Sequence, residues 1–292
     1  MNILITGANG QLGSELKDVV RIYSNNKFIF TNSSELDICN IDQLDKIIKH
    51  NNINAVINCA AYTAVDKAEK EELTAERVNY EGVLNLVEVL KKVDGKLIHI
   101  STDYVFDGNS FLPYQEFDKV NPIGIYGNTK RRGELEVINS NIEAIVIRTS
   151  WLYSAYGNNF VKTMLRLGRE RDELGVIFDQ VGTPTNANDL ARVCLDIFSY
   201  KKQQKINTNG KIYHFSNEGV ASWYDFATAI MKFGEISCIV KPIETKDYPT
   251  LAKRPHFSVL NKSKIKKDFE IEIAHWRDSL EKCIIKLNNK NK

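Results

Sequence analysis

Two side chains four apart, Tyr126 and Lys130, have the types and spacing for acid–base chemistry at an oxygen attached to carbon. On a helix, positions i and i+4 share a face, which sets the phenol beside the ammonium. A cation held next to a phenol favours phenolate and lowers its pKa from the free value of roughly 10. Thr102, expected at the C-terminal end of a strand, adds a hydroxyl to the same place. Such a trio can deliver a proton to an oxygen or take one from it. Tyr and Lys at this spacing also arise by chance, as a surface aromatic beside a solvated charge. The surrounding elements decide between the two.

Residues 2–6 form a short apolar run, as expected of a strand buried on both faces. Gly7-Ala8-Asn9-Gly10-Gln11-Leu12-Gly13 follows, then a helical pattern through Leu16, Val19, Val20 and Tyr23. This is G-x-x-G-x-x-G between a strand and a helix. Its glycines allow a tight turn and close approach of backbone to a ligand, and the helix N-terminus offers N–H groups to a pyrophosphate. A second strand runs from Phe28 to Phe30 or Thr31 and leads into Thr31-Asn32-Ser33-Ser34, with neither the acid that holds a ribose 2′-hydroxyl nor a nearby arginine for a 2′-phosphate. NADH and NADPH therefore both stay open. Next comes Asp37-Ile38, where Asp37 either caps the coming helix or lies against the adenine. A helix at 41–51 leads to a strand at 55–59. Small residues in the following Ala60-Ala61-Tyr62-Thr63 let a cofactor lie against backbone.

A long helical pattern at 67–91, a strand at 96–101, the helix of Tyr126 and Lys130, and a strand at 144–149 complete the alternation. The fold class is α/β, a Rossmann-like doubly wound parallel sheet. Ligands in such sheets bind beyond the carboxyl ends of the strands, where residues 7–13, 60–63 and 101–104 all fall. Beyond residue 150 the pattern loosens into an aromatic loop at 151–156, a helix at 159–171 and strands at 176–178 and 212–215. Between those strands lie a helix at 188–200 and a polar turn within 206–211. Helices at 223–233 and 274–287 flank a strand at 238–240 and a proline-containing loop at 242–255. Residues 1–150 are read as the dinucleotide-binding domain, with about 174–215 returning to it. Residues 151–173 and 216–292 are then a smaller substrate-binding lid.

Composition limits the function classes. The 292 residues suffice for a large core, and the net charge of +2 comes without any run of Lys or Arg that would mark a nucleic-acid or membrane partner. Five cysteines form no C-x-x-C pair; Cys59 and Cys194 sit in apolar surroundings as reduced core residues. Met1 leads straight into Ile3-Leu4-Ile5, leaving no room for a signal peptide, and no apolar stretch approaches the ~20 residues of a membrane span. A cytoplasmic protein is expected.

The pairing of Gly7-x-x-Gly10-x-x-Gly13 with Tyr126-x-x-x-Lys130 resembles the extended short-chain dehydrogenase/reductase superfamily. Finer blocks are Ala64-Val65-Asp66-Lys67-Ala68-Glu69, Ser101-Thr102-Asp103-Tyr104-Val105-Phe106-Asp107-Gly108 and Arg148-Thr149-Ser150-Trp151-Leu152-Tyr153. With Gly157-Asn158-Asn159-Phe160, Gly182-Thr183-Pro184-Thr185 and Arg254-Pro255, they resemble the dTDP-4-dehydrorhamnose reductase family over nearly the whole chain. The resemblance implies NAD(P)H-dependent reduction of the C4 ketone of a dTDP-6-deoxy-hexulose, in the synthesis of a polysaccharide sugar. It makes Tyr126 the proton donor, Lys130 the ribose and pKa-tuning residue, and Thr102 the partner of the carbonyl. Gly7, Gly10, Gln11, Leu12, Gly13, Asp37, Ile38 and residues 60–63 would hold the cofactor. Asp103, Tyr104, Trp151 and Arg254 would face the sugar nucleotide, with Arg254 either on the diphosphate or a loop arginine in water.

Neighbouring readings are separated by single positions. Sugar-nucleotide 4,6-dehydratases carry Thr-Asp-Glu, and here Tyr104 replaces the second acid. A 4-epimerase should lack the Trp151 and Arg254-Pro255 blocks. The regulatory subunit of methionine adenosyltransferase resembles the family as a binding partner, but need not keep Thr102, Tyr126 and Lys130 together. Some members bridge subunits with a divalent metal such as Mg2+ through carboxylates on the first helix. Glu15 lies there, but Asn188-Asp189-Leu190-Ala191-Arg192 matches imperfectly, so Glu15 reads as a surface residue, no metal ligand is assigned, and the chain is a monomer or homodimer. His99 reads as a hydrogen-bonded core histidine, and the Trp223-Tyr224-Asp225-Phe226 cluster as lid core.

Overall fold

In the computed structural model, which describes residues 1–23, 25–199 and 208–290, the apolar runs become parallel strands joined by helices. The first half holds β1 (Asn2–Thr6), α1 (Gln11–Val19), β2 (Lys27–Phe30), α2 (Ile41–His50) and β3 (Ala55–Asn58). Next are α3 (Val65–Ala68), α4 (Glu72–Glu76), α5 (Gly82–Lys91), β4 (Lys96–Thr102), α6 (Ile125–Ile138) and β5 (Ala144–Thr149). The second half begins with β6 (Leu152–Tyr153), α7 (Phe160–Glu170), β7 (Glu173–Ile177), β8 (Val181–Gly182) and β9 (Thr185–Asn186). It continues with α8 (Ala187–Ser199), β10 (Lys211–His214), β11 (Ala221–Ser222), α9 (Trp223–Phe233) and β12 (Ile239–Ile243), then α10 (Ser263–Phe269) and α11 (Trp276–Lys290).

Six strands form one parallel sheet in the order β10-β5-β4-β3-β1-β2. Alternate side chains of each strand enter different cores, which is why these runs are apolar throughout rather than at every second residue. Ile3, Ile5, Ala55, Ile57, Ile98 and Ile147 pack with α1 and α8 on one face. Leu4, Val56, Leu97 and Val146 pack with α2 and α5 on the other. Chain direction across the sheet reverses between β1 and β3, opening a crevice at the carboxyl edge.

The single helix expected over 67–91 is instead broken into α3, α4, a π-helical turn at Arg77–Glu81, and α5. The turn aims Asn79, which is fully buried, back at the loop after β3. Tyr62 N–H donates to Asn79 Oδ1 at 2.9 Å, and Asn79 Nδ2 donates to the Tyr62 carbonyl and to Thr129 on α6. The π-turn carries all three bonds, and π-turns of this kind collect at functional sites.

A second core gathers α7, α9, α11 and the β7–β12 ribbon around Phe226, Ile230 and Trp276. The expected return to the first unit from about residue 174 needs correction: β7 pairs with β12 in this second core, and the chain rejoins the large sheet only through α8 and β10. Ile265 and Phe269 of α10, also assigned by sequence to the smaller unit, pack into the core of the large sheet. The helix end at Tyr200 and the start of the 206–211 turn lie outside the described residues. No helix among the described residues is long and apolar enough to cross a membrane.

Candidate active site

The carboxyl edge of the sheet carries a cleft of about 490 Å³. Three glycines of the first loop line it with Gln11 and Leu12, as do Ala61, Thr63, the stretch 100–104, Tyr126, Lys130 and Trp151. Gly7 has φ +63°, and a Cβ there would lie 2.7 Å from Ala60 N; a Cβ on Gly13 would lie 2.5 Å from the Gly7 carbonyl. The turn is therefore as tight as backbone permits. It ends at Gly10, which places no side chain on the first N–H groups of α1. Uncapped N–H groups on a close-packed glycine turn fit the pyrophosphate of a dinucleotide.

Thr102 ends β4, and its Oγ1 donates to Asp103 Oδ1 at 3.1 Å. Thr102 and Tyr126 line the same cleft, and the Thr102 hydroxyl lies near enough to the phenol to draw its pKa down. Tyr126 lies on the first turn of α6, whose start is fixed by Ile125 N–H donating to Glu69 Oε1 at 3.0 Å. Further along α6, buried Glu134 takes a bidentate grip from Arg148 of β5, both contacts at 2.8 Å, and a hydrogen bond from Ser101 of β4 at 2.6 Å. Burial alone would raise the Glu134 carboxyl, but Arg148, Ser101 and Arg131 hold it below the ordinary value. The helix of Tyr126 is thus bolted to two strands of the sheet.

Lys130, only 2% exposed, donates from Nζ to the Ile100 carbonyl at 2.7 Å, and its Nζ lies 3.5 Å from His99 Nε2. Burial pushes its ammonium down to about 8 against the opposing pull of Glu134 and Cys59. The expectation that this cation lowers the phenol is corrected here. Tyr126 is pushed up to about 12 by burial, the Thr102 hydroxyl draws it down, and the Asp103 charge raises it further. The phenol is held protonated, which suits a proton donor better than a standing phenolate. Asp103 is 2% exposed and pushed up to about 6 by burial, partly offset by Ser258 and Thr102. Its Oδ2 has no hydrogen-bond partner among the described residues. Tyr104 meets Tyr126 edge-on, with ring centroids 5.5 Å apart.

Other candidate residues fall elsewhere. Asp37 is ion-paired to Arg77 at 2.6 Å, Ile38 is packed in the core, and neither lines the cleft. Of residues 60–63, Ala61 and Thr63 line it; Ala60 N–H is held by Thr6 and Asn58, and the Tyr62 hydroxyl donates to Glu71. Arg254 is half-buried and forms a two-point pair with Asp66, at 2.7 and 3.2 Å. Glu15 is not a surface residue either. It is 1% exposed and accepts from Ser154, Asn188 and Lys286, so an ammonium supplies its counter-charge. Among the described residues no group of three His, Cys, Asp or Glu side chains could hold a metal ion.

Trp151 lines the cleft with φ +48°, a left-handed conformation rare for so large a residue, and stacks on Trp223 with centroids 3.6 Å apart. That strain was invisible in sequence. Missed as well was the cover formed by Gly157, Asn158 and Asn159, where Asn159 Nδ2 donates to Gln11 Oε1 at 2.9 Å. The glycine followed by two asparagines was the one available signal.

The family described as "RmlD substrate binding domain" matches residues 1–289. The dTDP-4-dehydrorhamnose reductase of Aggregatibacter actinomycetemcomitans is 43% identical over 284 residues, 95% of this chain and 96% of that protein. A crystal structure of a dTDP-4-dehydrorhamnose reductase from Clostridium acetobutylicum, 42% identical, matches with a TM-score of 0.92 over 99% of this chain and 100% of that one. Another from Bacillus anthracis, in complex with NADP, is 38% identical with a TM-score of 0.91 over 98% and 99% of the two chains.

Proposed function

This chain belongs to the RmlD substrate binding domain family, and on that footing we propose that it reduces dTDP-4-dehydro-6-deoxy-L-mannose at C4 to dTDP-L-rhamnose with NADPH or NADH. The carrying observation is that one cleft brings Thr102, Tyr126 and Lys130 together with the glycine turn. A bound reduced nicotinamide supplies the hydride. Gly7, Gly10, Gln11, Leu12 and Gly13, with Ala61 and Thr63, form its bed, and Lys130 meets its ribose. Tyr126 gives its proton to the ketone oxygen as negative charge grows there, and Thr102 steadies that oxygen. Donors already aimed at the developing charge need no rearrangement in the transition state.

In this reading the sheet unit holds the dinucleotide, and the second core, with Trp151, forms the sugar-nucleotide side. Asp103 lines the cleft beside Thr102 and is placed to help position the sugar. Tyr104 stands where elimination would need a second carboxylate, which favours simple reduction. The test is purified protein with dTDP-4-dehydro-6-deoxy-L-mannose and each nicotinamide in turn. Formation of dTDP-L-rhamnose with matching loss of reduced cofactor is expected; absence of cofactor oxidation refutes the proposal.

A further inference from the structure

A buried chain of polar groups behind the cleft, unused in the reaction above, ends on Lys130. Thr6 Oγ1 donates to Asn58 Oδ1 at 2.6 Å, and the Ala60 N–H donates to the same oxygen at 3.3 Å. An amide oxygen facing two donors fixes the Asn58 orientation, so its Nδ2 is the donor to His99 Nδ1, 3.0 Å away. His99 Nδ1 is therefore the bare nitrogen. Burial, with Lys130 beside it, holds the ring neutral, and the one ring proton resides on Nε2. That Nε2–H points at Lys130 Nζ, 3.5 Å away. Asn58 and His99 are both fully buried, which leaves no solvent to reverse the arrangement.

An ammonium has three protons to place. The wall offers the Ile100 carbonyl, and opposite it a second donor rather than an acceptor. We infer that His99 is a positioning residue that withholds an acceptor from Lys130, so that its ammonium is completed only by groups entering the cleft. This rests on the proposal above that Lys130 meets the cofactor. In the empty cleft the amine form fits better, because its lone pair accepts from His99 Nε2–H while one proton goes to Ile100. When ribose hydroxyls arrive, the ammonium gains acceptors. Cofactor binding and protonation of Lys130 are then coupled.

The groups around Lys130 confine the effect to mildly alkaline pH. Glu134, one turn along α6, is an ion-paired carboxylate; Cys59 is held well above its ordinary value by burial; Asp103 titrates at about 6 and Tyr126 at about 12. Lys130, at about 8, is the described cleft side chain that changes charge between pH 7 and 9.

The test is calorimetric titration of the full chain with NADPH at pH 8 in two buffers of different ionisation enthalpy, which counts protons taken up on binding. About half a proton per cofactor is expected, since Lys130 is then about half protonated when empty. His99→Gln brings a carbonyl that can accept from the ammonium, and Asn58→Ala frees the His99 tautomer to do so. Each should cut the uptake at least twofold, and Lys130→Met should abolish it. No uptake by the unaltered protein, or full uptake in both His99→Gln and Asn58→Ala, overturns the inference. Uptake that survives in Lys130→Met would instead overturn the assignment of Lys130 to the cofactor.

Discussion

Replacing Asp103 with asparagine should flatten one segment of the pH–stability curve. The native carboxyl holds its proton up to about pH 6, whereas in the unfolded chain it ionises near 3.8. Between those values the native state binds more protons, so this residue's contribution to stability falls as pH rises through the window and stays lost above it. At about 1.4 kcal/mol per tenfold change in proton affinity, the loss amounts to about 3 kcal/mol. Its physical source is Oδ2, shut away from water with no donor to meet it. Other carboxylates titrate in the same range, so the quantity to measure is the difference between Asp103→Asn and the unaltered protein. Urea unfolding at pH 4 and pH 7 should show that difference shifting in the variant's favour by about 2.4 kcal/mol between the two. A difference independent of pH would refute the account of this site. Asp103 also lines the cleft, so the stabilised variant should bind substrate more weakly.

Tyr126→Phe should lower reductase turnover at least a hundredfold, the effect of losing about 3 kcal/mol from a donor aimed at developing charge. Cofactor affinity should stay within a few-fold because ring packing survives; more than a tenth of the original rate would remove Tyr126 as the acid. Lys130→Met should weaken cofactor binding tenfold to a hundredfold as well as turnover, in keeping with about 1.5–3 kcal/mol for a charged hydrogen bond. A binding titration with unchanged affinity would exclude the ribose contact. NADH and NADPH should differ by less than thirtyfold in kcat/KM, about 2 kcal/mol. At the end of β2, Asn32 Oδ1 is occupied by Ser34, and Asp37 by Arg77, so no strong reader of the 2′ position stands free. A larger preference would contradict that description.

The glycine turn, the strand ends and the Tyr126–Lys130 helix were legible in the chain because each depends on local pattern. Residues 2–6 read as a doubly buried strand and became one, with Ile3 and Ile5 in one core and Leu4 in the other. The break in the helix over 67–91 was not legible, since Asn79 turns to meet Tyr62 and Thr129, 17 and 50 residues away. Trp151 gave no sign of its left-handed backbone or of the stacking of its ring on Trp223.

Backbone periodicity and steric limits act over a few residues, so the amino-acid order alone determined the α/β class, the alternation of strands and helices in the first half and which chemistry reaches the carboxyl edge. Charge partners act through space. Arg254 finds Asp66 across 188 positions and Glu15 finds Lys286 across 271, and no local pattern announces either. Tertiary structure alone decided that Arg254 is spoken for, that Glu15 is buried, and that the Tyr126 phenol is raised rather than lowered. The reason in each case is the same: desolvation and Coulomb energy depend on what surrounds a group in the folded chain, which is set only when distant segments pack.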